Sequence, residues 1–248
     1  MKYIVLDLEF NQAYDFGDGK DNFPDEKCPF EIIQIGAVKL NEKFEYESSL
    51  NLLIKPEIYK RIHPYVGKIT GLNNSLLENQ QTFKEAYEKL IEFADKKRII
   101  YCVWGSNDIK ELYKNITYYN LAEDIITFNF IDVQKIASSY INKAPGMCIG
   151  LKNAVMALNL EVSKPFHNAL YDADYTSKIL QRLRYEPINI KQFSHDNIVK
   201  IAKTPNVINF SSLYKSVEKE LGRRITKKEK RIYRNVYFLG REKRFDKK

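Results

Sequence analysis

Hydrophobic and polar positions along this chain fall into two periods, one of about two residues and one of about 3.6. Residues 3–9 are an apolar run ending on carboxylates and read as a buried strand. Residues 11–30 are acidic, contain Gly and Pro, and read as a long loop. Residues 31–40 (EIIQIGAVKL) and 44–54 read as a strand pair with Asn41 at the turn. Residues 82–95 form an amphipathic helix, because Phe83, Ala86, Tyr87, Leu90, Ile91 and Ala94 recur on one face. A strand is predicted at 98–104, a helix from Asp108 to Lys114, and a strand running into a helix at 126–133. Helices follow at 151–158 and 168–184. Strands that come first and then alternate with helices predict an α/β fold, a mixed sheet flanked by helices.

A composition shift at 185–187 suggests two parts, residues 1–184 and a mainly helical extension, 185–248. In the extension, Ser211 is placed to cap a helix that ends at Leu221, with Gly222 just beyond. Thr226-Lys-Lys-Glu229 has the capping-box pattern for another.

Charge sharpens this division. The chain has 248 residues and a net charge of +8. Residues 185–248 carry 17 Lys and Arg against 7 Asp and Glu, while residues 1–184 carry 23 against 25. A basic extension on a near-neutral body suggests an anionic partner, nucleic acid above all, with a solvated, solubilising face as the plain alternative. Arg223, Arg224, Lys227, Lys228, Lys230, Arg231 and Arg234 crowd the predicted turns, and Ile232, Tyr233 and Val236 offer an apolar side for docking. No apolar run approaches the roughly 18–20 residues of a membrane helix. The opening run is short and carries acids, unlike a signal peptide, so no membrane partner and a cytoplasmic location are expected. Cys28, Cys102 and Cys148 are scattered and odd in number, which argues against a disulfide framework or a zinc site.

The chemistry begins at Asp7-Leu8-Glu9. Residues two apart on a strand project from one face, so the two carboxylates sit side by side while Leu8 points away. Their repulsion is costly unless a cation lies between them, and hard divalent ions take oxygen ligands of this kind. His167 comes at or before the start of the 168–184 helix, and Asp172 is expected more than one turn inside it. Asp108 opens the helix after the 98–104 strand, where an acid is favoured in any case. Asp132 also follows a strand, and a structural role is the simpler reading. His63 and His195 show no partner pattern.

In order and spacing, Asp7-Leu8-Glu9, Asp108 and His167-x4-Asp172 resemble the three motifs of the DEDD exonuclease superfamily in its DEDDh branch, the relatives of the DNA polymerase III proofreading subunit. Thr70-Gly71-Leu72 resembles that family's Thr-Gly-Ile/Leu loop. Trp104-Gly105-x-x-Asp108 resembles its second motif, and Gly150-Leu151, Leu158 and His167-x-Ala169-x-x-Asp172-Ala173 its third. The Tyr-containing branch is disfavoured, since Asn168 occupies the position of its Tyr. The resemblance covers residues 1–184. Its opening is more similar to the bacterial sporulation-inhibitor and RNA-trimming members, which leans the substrate towards RNA over DNA. The 11–30 loop departs from compact members and is expected near the site, and its acids fit no EF-hand.

The resemblance implies a ribonuclease-H-like fold with a mixed five-stranded sheet. It implies a 3′→5′ exonuclease that releases nucleoside 5′-monophosphates from single-stranded RNA or DNA 3′ ends. Two divalent cations, Mg²⁺ or Mn²⁺, would be held by Asp7, Glu9, Asp172 and Asp108. His167 would be the general base, a task suited to an imidazole. Leu8 and Phe10 would lie against the terminal nucleotide, with Leu72 beside its base. The competing classes are a polymerase's proofreading partner, which co-purification would reveal, and an inactive nucleic-acid-binding module, which an activity assay with metal would exclude.

Overall fold

The computed structural model describes residues 2–18, 23–95, 99–122, 129–142, 147–192, 210–230 and 232–233. The chain divides into two compact units, Met1–Val199 and Lys200–Lys248. The first is built on a six-stranded sheet in the order β3-β2-β1-β4-β5-β6. β1 (Lys2–Asn11), β2 (Glu31–Leu40) and β3 (Tyr46–Leu53) pair antiparallel. β4 (Ile99–Val103) and β5 (Asn129–Asp132) then add parallel to β1, and β6 (Ile190–Gln192) closes the edge antiparallel to β5. The expected five-stranded mixed sheet is thus present with one short strand more. That strand lies beyond residue 184 and belongs to the first unit.

Strand alternation sorts the core into two layers. Ile4, Leu6 and Leu8 of β1 face one cluster, together with α3 (Phe83–Ala94) and α4 (Asn107–Tyr118). Val5 faces the other, which holds α5 (Val133–Asn142), α6 (Leu151–Ala157) and α7 (Ala169–Arg182). Asp7 shares the parity of Val5, so its carboxylate belongs to the α7 side. The α3 helix buries the six residues its periodicity picks out. Thr82 and Glu85 form a reciprocal capping box at its start, and Asp95 ends it in a left-handed conformation.

Two short helices were not evident from periodicity. α1 (Pro64–Thr70) and α2 (Asn74–Leu77) are too brief to show a face, and they pack through a small cluster of Ile33, Ile62, Val66, Leu72 and Leu77. Asp132 has the structural role its context suggested. It is buried at the end of β5, accepts from the Lys135 backbone N–H (3.2 Å), and pairs with Lys191 of β6 (3.1 Å).

In the second unit, α8 (Phe210–Leu221) ends before Gly222, which has a positive φ of 63°. The helix is described from Phe210, one residue ahead of Ser211, and the residues before it and the Ser211 side chain lie outside the described ones. The Thr226–Glu229 capping box forms in both directions. Ile225 is buried and donates its N–H to Glu218 (3.0 Å).

One contact positions α7. A Cβ on Gly36 of β2 would overlap the backbone of Ala169 and Leu170, so the first turn of α7 rests directly on the strand opposite Asp7. Ala169 N–H also donates to Gln34 Oε1 (3.3 Å). Replacing Gly36 with Ala is expected to push this turn off the sheet and destabilise the protein by about 2–4 kcal/mol, the upper range for overpacking. Urea unfolding checks this. A loss below about 0.5 kcal/mol would show that the contact does not constrain α7.

Candidate active site

The acids gather where β1, α4 and α7 meet. Asp7 and Glu9 lie near the carboxyl end of β1, just before a register shift between Glu9 and Phe10. Such a bulge turns the strand end and frees it from regular pairing. Asp108 is in the first turn of α4 and is 9% exposed. Gly105, with φ of 88°, makes the tight turn from β4 into that helix. Asp172 is 8% exposed and is the fourth residue of α7, in its first turn. This corrects the expected placement more than a turn inside. The helix starts only after Asn168, whose side chain caps Tyr171 N–H. Both acids therefore gain from the positive ends of helix dipoles.

His167 lies just outside the cap with φ of 65°, a left-handed conformation rare for a residue with a Cβ. Such strain persists where surrounding contacts hold it. Here it aims the His167 backbone N–H at Asp172 Oδ2 (3.0 Å) and leaves the side chain exposed. Potential ligand atoms of Glu9, His167 and Asp172 all lie within 4.8 Å of one another.

The electrostatics are those of a pocket with too many negative charges. Burial raises the Asp7 carboxyl well above its usual range, and Asp108, Asp172 and Glu9 raise it further. Glu9 is pushed up to about 8 by burial and then by Asp172. Burial also raises Asp108, reinforced by Glu9, Glu111 and Asp172. Asp172 is raised by burial, and its hydrogen bond from the His167 backbone only partly opposes this. Asp172 Oδ1 is buried without a hydrogen-bond partner. A bare carboxylate oxygen among three other acids is a donor set suited to a hard divalent cation.

The substrate-side residues are placed unevenly. Leu8 is buried in the core, so only its backbone faces the site's end of the strand. Phe10 is half-buried, its ring edge-on to Phe30 at 6.3 Å. Thr70 Oγ1 donates to Val66 O (2.8 Å) and accepts from Leu72 N–H (3.0 Å), while Gly71 turns the chain with φ of 74°. Leu72 is only 7% exposed. In the second unit, Arg224, Lys227 and Lys228 are exposed, whereas Arg223 forms a fork with Glu229 (2.8 and 3.2 Å). Arg231 and Arg234 lie outside the described residues. Sequence reasoning missed Gly36 and Gln34, which carry α7 to the site. Their only signal was a glycine inside an otherwise apolar strand.

The sheet order, the clustered acids and the histidine define a nuclease of ribonuclease-H-like fold. The chain belongs to the exonuclease family (RNase_T), whose model matches residues 4–180. It is 23% identical over 177 residues to mouse ERI1 exoribonuclease 3 and 23% identical over 176 residues to the human protein. Each match covers 67% of this chain and 51% of the relative, so the chain spans about half the length of the curated relatives it matches. The nuclease domain of 3′hExo, a DEDDh family member bound to rAMP, superposes with a TM-score of 0.64 at 20% identity, covering 77% of this chain and 97% of that one. Cell-death related nuclease 4 gives 0.62 at 15%, covering 84% and 72%. Among the described residues, no helix is long and apolar enough to cross a membrane.

A pH-dependent response to metal follows. All four acids have folded-state pKa values above their unfolded values near 4. Their contribution to stability is therefore full below about pH 4 and is lost as pH rises through the folded values, about 8 for Glu9. In EDTA, Tm is expected to fall between pH 5 and 8. Mn²⁺ at about 100-fold over Kd should raise Tm by about 5–10 °C at pH 8, and by much less at pH 5. Equal shifts at both pH values in scanning fluorimetry would contradict this account of the pocket.

Proposed function

We propose that this chain is a divalent-metal-dependent 3′→5′ exonuclease acting on single-stranded nucleic acid, with RNA favoured over DNA. The observation that carries this is the unpartnered Asp172 Oδ1, buried in a cluster with Glu9 and His167 and raised with Asp7 and Asp108 above the usual carboxylate range. The preference for RNA is supported by the exoribonuclease names of the matched relatives.

Asp7, Glu9, Asp108 and Asp172 would hold two Mg²⁺ or Mn²⁺ ions. When bound, such ions supply Lewis-acid polarisation of the phosphoryl group and neutralise its charge. His167, exposed beside Glu9 and Asp172, takes a proton from the attacking water. The water oxygen bonds to phosphorus, the P–O3′ bond breaks, the 3′ oxygen of the shortened strand takes a proton from solvent, and a nucleoside 5′-monophosphate is released. Leu8 meets the terminal nucleotide through its backbone, because its side chain is committed to the core. Phe10 offers a half-buried ring beside it. The Thr70-Gly71-Leu72 turn contributes its shape at the strand's end, with Leu72 as the anchor that holds it. Arg224, Lys227 and Lys228, together with Arg231 and Arg234, give the second unit an accessory role in holding the nucleic acid backbone, and each phosphate neutralised steepens the salt dependence of binding.

Asp7→Ala or Asp172→Ala is expected to abolish release of 5′-monophosphates from a 5′-labelled RNA strand, and excess EDTA to do the same. His167→Ala should lower kcat by roughly 10²–10⁴-fold. It should keep the Tm rise with Mn²⁺, since four carboxylates remain to hold the ions. Full activity in EDTA would refute the metal reading. Loss of the Tm rise in His167→Ala would reassign that residue as a ligand.

A further inference from the structure

Beside the acids lies a second cluster that the reaction above does not use. Asn11 ends β1 two residues beyond Glu9. Its buried amide donates to the carbonyls of Tyr59 (2.9 Å) and Arg61 (3.0 Å) and accepts from His63 N–H (2.9 Å). These bonds fix the 59–63 segment against the strand end, about 7 Å along the chain from Glu9 at the usual strand rise. Residues 14–18, which follow β1, lie against this segment. The Tyr14 ring meets the His63 ring edge-on at 4.7 Å and the Phe16 ring at 4.8 Å. The Arg61 guanidinium stacks on Phe16 at 3.9 Å. It also forms a two-pronged ion pair with Asp18, at 2.7 and 3.0 Å. Tyr14 is 38% exposed. His63 Nδ1 accepts from Tyr65 N–H, which fixes the plane of its ring.

We infer that Tyr14, Phe16, Arg61 and His63 form a subsite for the nucleotides upstream of the bond being cut. A base stacks on the Tyr14–His63 face, and a backbone phosphate takes the Arg61 fork in place of the Asp18 carboxylate. This rests on the exonuclease reading above. The chemistry matches what single strands require: aromatic faces that accept any base, set beside a cation. The Arg61 fork suits carboxylate and phosphate alike, so Asp18 holds the guanidinium flat on Phe16 in the shape that a phosphate oxygen pair would meet. An exposed ion pair of this kind is weak enough to exchange. The subsite would favour strands with several nucleotides over the smallest substrates without reading their sequence.

The test uses the full chain with Mn²⁺ and two substrates: a single-stranded RNA octamer, and the p-nitrophenyl ester of a nucleoside 5′-monophosphate, which has no upstream nucleotide. For Tyr14→Ala and Arg61→Ala, the octamer-to-ester ratio of kcat/KM should fall roughly 5- to 50-fold through the octamer KM, the range expected for one lost stacking contact. Asp18→Asn should move the ratio the other way, because it removes a carboxylate that competes with phosphate for the guanidinium. An unchanged ratio in Tyr14→Ala and Arg61→Ala overturns the subsite. So does a fall in Asp18→Asn matching that in Arg61→Ala, which would make the ion pair a scaffold only. Failure of the wild-type chain to cleave the ester or the octamer would instead strike the exonuclease reading itself.

Discussion

Like charges forced together out of water dominate this molecule. Asp7, Glu9, Asp108 and Asp172 come from three separate elements, and each is raised by burial and by its neighbours. No folding advantage accounts for such a grouping, because each acid would be better solvated at the surface. The surrounding fold is arranged to hold them there. Two helix N-termini point at the pocket, and their dipoles offset part of the repulsion. Gly36 lets α7 approach the sheet at backbone distance, so that Asp172 comes over β1. The left-handed backbone at His167 supplies Asp172 with one N–H while leaving its other oxygen bare. A pocket that satisfies half a carboxylate is built to have the rest satisfied by something bound.

The regular elements were legible because each has a period long enough to register. β2 spans residues 31–40 as its apolar run predicts, and α3 buries its six predicted residues. β6 and the two short helices were not legible, since their sequences (IKQ, PYVGKIT and NSLL) carry too few apolar positions to set a period. Their stability comes from partners distant in sequence. β6 is pinned by the Lys191–Asp132 pair, and α2 is capped by Asn73 while Asn74 Oδ1 accepts the Ile62 N–H. The acids of the site were legible by spacing and residue type. Their convergence was not, because it depends on Gly36 and on where α7 begins. One residue's uncertainty at the cap decides whether Asp172 lies in the first turn or beyond it.

A stretch of irregular backbone completes the construction. The 57–63 segment has no regular pairing of its own, yet it feeds α1 and the Thr70-Gly71-Leu72 turn. Two buried polar side chains make up for that lack. Glu31 at the start of β2 accepts the backbone N–H groups of Glu57, Ile58 and Tyr59. Asn11 at the end of β1 takes up three further backbone groups, at Tyr59, Arg61 and His63. Burial raises the Glu31 carboxyl, and those same N–H bonds hold it down in part, so its cost is shared with the backbone it organises. Buried polar groups that are fully paired rigidify what they join. Here they join β2 and the end of β1, the strand of Asp7 and Glu9, to the segment that carries Arg61 and His63. The Arg61–His63 segment is therefore held in fixed register with the acids of β1, without any regular element between them.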